Sequence, residues 1–234
     1  MTLTAAQNSK LFSDDEVARI IWALARLYAD PPIEVMDTFM CSFYLRMDKL
    51  EIKVAPPSSK FGHSGRWHQV LSMALWGLAR LDYIPAEKVL IRACQAMAER
   101  IRLREGRLSD FASCLWALAV MGYTPLTSIL HDFVALSCSC LGSLTALEVS
   151  QLLWSFIQFG LHPGHTFLNV VDALFCGAEC MWSTEETSLL FWGMATYAYP
   201  LNQLFIFKAL DKVHSSLPNC SWAVLVRTLN ACAR

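Results

Sequence analysis

The densest cluster of reactive side chains is the run ERIRLREGR, which places Arg100, Arg102, Arg104 and Arg107 within eight residues. Four guanidiniums so close together could hold successive phosphates of a nucleic acid strand. They would equally suit a helix C-terminus, whose carbonyls favour cations, with Gly106 as the stop and Glu99 and Glu105 as neighbours. Sequence alone leaves both readings open. Cys138 and Cys140 stand two apart and Cys176 and Cys180 four apart, none in C-x-x-C spacing. His131, His162 and His165 complete no ligand set, so no metal is expected. No G-x-S-x-G, H-E-x-x-H or phosphate-loop string occurs, and the acidic residues form no inward pair. We therefore expect no catalysis, no cofactor and no small-molecule substrate.

The polar residues that could do binding chemistry sit inside a repeated phrase. Five segments read tryptophan, a short apolar stretch, then proline: IIWALARLYADP (20–31), ALWGLARLDYIP (74–85), CLWALAVMGYTP (114–125), LLWSFIQFGLHP (152–163) and LLFWGMATYAYP (189–200). Trp22, Trp76, Trp116, Trp154 and Trp192 are separated by 54, 40, 38 and 38 residues. A period near 38 points to stacked supersecondary units, because one unit alone cannot bury its apolar face. The expected fold is an all-α, right-handed α-solenoid of five helical hairpins and a terminal half-repeat. A tail covers 1–12 and the array 13–234, in units of about 13–49, 66–106, 107–143, 144–181 and 182–217. SWAVLVRTLNACAR in 218–234 resembles a sixth first helix, with Arg227 in the tryptophan place. The longer first interval is taken up by a loop at 50–65, rich in Pro, Ser and Gly.

Within a unit, Ser13, Thr145 and Ser183 each precede a glutamate by three residues (Glu16, Glu148, Glu186), the pattern of a capping box. The third copy keeps only Asp110 at the acidic place. The first helix is expected to run about six residues past the tryptophan, where the proline stops it and opens the second helix. Second helices are expected at 32–48, 86–104, 126–141, 164–180 and 201–216. Positions one and five before the tryptophan and two and five after it are apolar, whereas four before and three after are small. We expect the tryptophans to border that packed arc and belong to the core, since an indole buries a large apolar area; base stacking is the competing use.

A narrow wedge escapes the apolar rule. Positions seven before, three before and four after the tryptophan lie within about 20–60° of it. They read Asp15/Arg19/Arg26, Gln69/Met73/Arg80, Ser109/Ser113/Val120, Leu147/Gln151/Gln158 and Glu185/Leu189/Thr196. A register that is polar on balance and different in each copy suits a stacked surface with one reader per unit, and it also suits a plain solvated stripe. As base or phosphate contacts we single out Arg19, Arg26, Gln69, Arg80, Ser113, Gln151 and Gln158.

The chain is 55% hydrophobic and only 17% charged, which implies much surface buried against partners. Residues 149–171 and 187–207 carry no charge, but Pro163 and Pro200 break them at the phase of their charged sister copies, so no membrane span is expected. A net charge of −1 does not advertise a field-driven nucleic-acid binder. Nine scattered cysteines fit a reducing compartment better than a disulfide framework. MTLTAAQNSKLFSDDE shows neither a secretory core nor an Arg-rich presequence.

The phrase L-W-A-L-A-x-x-G-Y-x-P at this spacing resembles the octotricopeptide repeats of green-algal organelles. It looks equally like the heptatricopeptide repeats of apicomplexan mitochondrial proteins, which often precede a RAP domain; no RAP-like tail occurs in these 234 residues. The likeness covers about residues 13–234 and is best in the second and third copies. It implies an α-solenoid that binds organelle RNA in single-stranded form, stabilising, processing or activating a transcript, or serving as a ribosomal component. Mitochondrial location is expected, with a plastid as the alternative. Composition favours a second class, a protein–protein scaffold subunit of a large complex. A mitochondrial ribosome accommodates both.

Overall fold

The computed structural model describes residues 12–49, 67–177 and 182–234, and the loop expected at 50–65 lies outside them. The described residues are helical, with no strand among them. In chain order the helices are α1 (Asp14–Arg26), α2 (Ile33–Lys49), α3 (Trp67–Arg80), α4 (Glu87–Leu103), α5 (Leu108–Val120), α6 (Thr127–Ser137), α7 (Ala146–Gln158), α8 (His165–Gly177), α9 (Thr184–Thr196), α10 (Gln203–Ser215) and α11 (Trp222–Cys232). Short 3₁₀ turns at Leu141–Ser143 and Leu217–Asn219 precede α7 and α11. The chain divides after Pro125 into two compact units. In the first, α3 lies between α1 and α5, while α2 packs on α4. In the second, α9 lies between α7 and α11, while α8 packs on α10. The helices thus pack in adjacent pairs, first helix on first helix and second on second.

The start signals work as their spacing predicts. In α1, α7 and α9 the Ser or Thr oxygen accepts from the glutamate N–H at 3.2–3.3 Å. The glutamate carboxylate accepts from the cap residue's own N–H at 2.7 Å. Two orphan amides are satisfied at each terminus. On α5 the N-cap is Arg107, whose side chain makes no cap bond. Asp110 turns instead to the preceding repeat, where Ser72 Oγ donates to it at 3.2 Å and His68 Nε2 stands 3.4 Å away. The acidic place that closes a capping box in three copies ties two helices together in this one.

Helix termination differs from expectation. The first helices end four residues past the tryptophan, not six, and the proline is not the stop. Six past each tryptophan the backbone turns left-handed, at Tyr28, Asp82, Gly122, Gly160 and Ala198. The next N–H then reaches back to the carbonyl two past the tryptophan, as from Tyr83 to Leu78 and from Leu161 to Phe156. This is the Schellman closure, and it satisfies the carbonyls that the helix end leaves orphaned. Proline follows one turn later and only bars resumption. The third second helix is also shorter than expected, since α6 ends at Ser137 and a 3₁₀ turn follows.

Close packing rests on the residues flanking the tryptophan. The one before it is large (Ile21, Leu75, Leu115, Leu153, Phe191) and the one after it small (Ala23, Gly77, Ala117, Ser155, Gly193). A Cβ on Gly77 would fall 2.8 Å from Ile21 Cγ2, and one on Gly193 would fall 2.5 Å from Leu153 Cδ2. Ile21 therefore nests on Gly77, and Leu153 on Gly193. A second tie recurs seven residues past the tryptophan. Tyr83 donates its hydroxyl to Asp37 on α2, and Tyr199 donates to Asn169 on α8 at 2.7 Å. Asp37 and Asn169 hold the same place in their units, fifteen past the tryptophan. Between α4 and α5, burial pushes the Cys94 thiol up to about 12 and Cys114 well above its usual range, so both are inert packing groups.

Two outcomes test these assignments. Ala198→Gly should raise stability by about 1 kcal/mol, because a left-handed Cβ costs about 1–2 kcal/mol and glycine's extra unfolded freedom offsets part of it. Gly122→Ala should lower stability by about as much, with no clash involved, since nothing lies within 4 Å of the added carbon. Denaturant titration measures both. For the thiols, a folded-state pKa above 9.0 means stability is complete below pH 9 and lost as pH rises toward 12. The Cys94→Ala, Cys114→Ala double variant should lose less stability over that interval than the parent in alkaline melts.

Candidate nucleic-acid interface

The tryptophans were expected in the core, and the structure corrects this: Trp22 is 40% exposed and Trp76, Trp116, Trp154 and Trp192 are half-buried. The reason is geometric. Nesting of the residues at −1 and +1 holds neighbouring helices on opposite flanks, and the second helices cover the far side. The tryptophan is left at the rim, beside the polar wedge, with one face against the packed arc and the other open.

In the first unit this rim gathers chemistry. Asp15, Arg19, Trp22 and Ala23 of α1 join Gln69 and Met73 of α3 around a cleft of about 430 Å³. Arg19 pairs with Asp15 at 2.9 Å, one helical turn apart, which holds the guanidinium along the cleft wall. Arg26 lies 5.5 Å over the Trp22 ring. Arg80 lies 5.8 Å over Trp76 and 5.9 Å over Tyr28. Four of the seven predicted wedge contacts, Arg19, Arg26, Gln69 and Arg80, thus share one exposed surface with two indoles. Guanidinium stacking leaves the planar N–H fork free at its edge for carboxylate or phosphate. Ser113 on α5 is half-buried on its own helix.

Gln151 and Gln158 belong to the second unit, on α7, either side of Trp154. Gln158 is exposed and Gln151 half-buried. The wedge there carries Glu185 and Thr196 and no cation. The two units therefore differ in chemistry: amide and hydroxyl groups in the second, guanidiniums in the first.

The arginine run forms the turn from α4 to α5. Arg100 is tied to Glu105 by an ion pair, which removes one of the four from the expected phosphate row. Arg104 takes the left-handed C-cap of α4, with its N–H on the Arg100 and Ile101 carbonyls. Arg102, Arg104 and Arg107 are exposed. Both readings of the run hold in part, since it closes a helix and also presents cations. Gly106 fixes its shape. At φ +114° it is confined to glycine's region, and an added Cβ would meet Phe111 Cζ at 2.8 Å and His68 Cγ at 3.2 Å.

His162 and His165 stack with Tyr197 and Tyr199 at ring separations of 5.0–6.5 Å, and His162 Nδ1 accepts from the Gly164 N–H. Cys176 bonds to Asp172, and Cys180 lies outside the described residues. No group of three or more metal-ligating side chains converges among the described residues. No helix among them is long and apolar enough to cross a membrane. No protein-family model matches the chain, and no curated protein matches it.

Two participants escaped the sequence reading. Tyr28 reaches Arg80 because the left-handed turn at its own Cα throws its ring outward; glycine at the same place in the third and fourth copies is the sequence signal for that turn. Asp15 stands in the wedge, and its i,i+4 spacing to Arg19 is the sequence signal for the ion pair. Gly106→Ala should cost about 2–3 kcal/mol from backbone strain and overpacking. Thermal unfolding will show the loss, and Gly122→Ala, which meets no neighbour, should cost clearly less.

Proposed function

We propose that this chain is a non-catalytic helical-repeat protein, a right-handed α-solenoid, that holds single-stranded or ribosomal RNA and stabilises an RNA–protein assembly of an organelle. The mitochondrial ribosome is the assembly we favour, on the strength of the repeat phrase; a plastid complex or a transcript-processing factor is the variant reading. The observation that carries the proposal is the rim of the first unit, where guanidiniums stand over half-exposed indoles beside a largely apolar cleft edged by Asp15, Arg19 and Gln69. Bases stack on aromatic rings irrespective of sequence, and adjacent cations hold the backbone, so stacked units keep a strand extended. Phosphate contacts fall to Arg19, Arg26 and Arg80, with Arg102, Arg104 and Arg107 on a separate turn. Gln69, Ser113, Gln151 and Gln158 offer the hydrogen bonds that discriminate bases.

A second reading, the protein scaffold, is favoured by a different observation. On α10, Leu204, Phe207 and Leu210 form an exposed apolar stripe, with Phe207 70% exposed.

Binding of two unrelated single strands across a salt series separates these roles. Replacing Arg26 and Arg80 with Ala should weaken both strands alike and flatten the log–log salt slope by about 1.4, two contacts at roughly 0.7 each. Trp22→Ala and Trp76→Ala should each weaken binding by about 1–3 kcal/mol with the slope retained. The Gln151→Ala, Gln158→Ala variant should change the preferred strand and leave the slope alone. Absence of RNA binding by the parent leaves the scaffold reading.

A further inference from the structure

Only the first copy carries an acid and a base together in the wedge, Asp15 at seven before the tryptophan and Arg19 at three before. In the other copies the same two places read Gln69 and Met73, Ser109 and Ser113, Leu147 and Gln151, and Glu185 and Leu189. Asp15 Oδ2 accepts from Arg19 Nη2 at 2.9 Å, and the two side chains are 45% and 61% exposed. An exposed pair of this kind contributes little to stability. What distinguishes it is its place on the edge of the 430 Å³ cleft, whose other walls are Trp22 and Ala23 of α1 and Gln69 and Met73 of α3. A largely apolar slot with polar groups at its edge suits a nucleobase, whose faces are apolar and whose rim carries donors and acceptors.

We infer that this cleft takes one base of the bound strand and that the base is guanine, an inference that rests on the RNA reading proposed above. The Watson–Crick edge of guanine presents two donors and then an acceptor: the 2-amino group, N1–H and O6. The Asp15–Arg19 pair presents the complementary order, two carboxylate oxygens and then a guanidinium N–H. Cytosine offers guanine the same order in a base pair. Here the carboxylate is ionised, so its two bonds are charge-assisted and bidentate. Arg19 has five N–H donors, enough to hold Asp15, donate to O6 and still face a phosphate. The other bases fail on the same edge. Adenine and uracil each bring a single donor position beside an acceptor, and cytosine brings two acceptors. Each leaves an acceptor facing the carboxylate, which is repulsive as well as unpaired. Trp22 and Met73 supply contact with the base faces whichever base is present, so discrimination falls to the ion pair.

The test is fluorescence anisotropy with short oligouridine strands that differ at one central residue, which carries guanine, hypoxanthine, adenine or cytosine. The parent should bind the guanine strand about 10- to 100-fold more tightly than the adenine or cytosine strand. Hypoxanthine lacks only the 2-amino group and should cost about tenfold, a readout that leaves the protein unaltered. Asp15→Asn should bring all four strands to within about threefold of one another. Its thermal unfolding should stay close to the parent's, the site being on the surface. Free guanosine monophosphate should compete only at far higher concentration, because Arg26 and Arg80 hold the flanking phosphates of a strand. Competition at strand-like concentration overturns the strand assignment in favour of a free nucleotide. Four strands bound equally by the parent, or a guanine preference that survives in Asp15→Asn, overturns the inference and leaves the RNA reading standing. No binding of any strand overturns both.

Discussion

The structure depends on one repeated contact: a large aliphatic or aromatic side chain just before the tryptophan seated on a small residue just after the next one. Gly77 and Gly193 mark where helices approach so closely that a single added carbon would overlap Ile21 or Leu153. Interiors packed at crystal-like density tolerate such overlap poorly. The nest therefore sets the distance between α1 and α3 and between α7 and α9, and their rotation follows. Once −1 and +1 are fixed on opposite flanks, two and five places away must face the second helices, and the tryptophan and wedge must face out.

The proposed RNA-holding surface rests on that rotation. At the rim, an indole offers one ring face to the protein and one to solvent, and an arginine one turn further on lies over it, as Arg26 does over Trp22. Only two copies carry that arginine, both in the first unit. The cation supply of a chain with net charge −1 is thus concentrated, not absent.

Ties between repeats vary while the nest stays constant. Asp110 joins His68 and Ser72, Tyr83 joins Asp37, and Tyr199 joins Asn169. Each uses a polar residue drawn from a place that elsewhere caps a helix or stays apolar. Such bonds contribute about 1 kcal/mol each, whereas the nest is a steric requirement where Ile21 meets Gly77 and Leu153 meets Gly193.

The period, the helical class, the three capping boxes, the sixth first helix and the wedge positions were all legible in the sequence, because each depends on residues within one or two turns of each other. The reach of Arg26 to Trp22 is of this local kind too. Helix stops were misplaced, since proline is conspicuous while a left-handed residue at Tyr28, Asp82 or Ala198 carries no compositional mark. The tertiary structure alone decided that the tryptophans stand at the rim, that Gln69 and Met73 close a cleft with Arg19, and that Arg80 reaches Tyr28. Those facts depend on how one helix is rotated against the next. Hydrophobic periodicity states which arc is apolar, but an arc that spans most of a helix does not say which part touches a neighbour; steric fit between the nested pairs does.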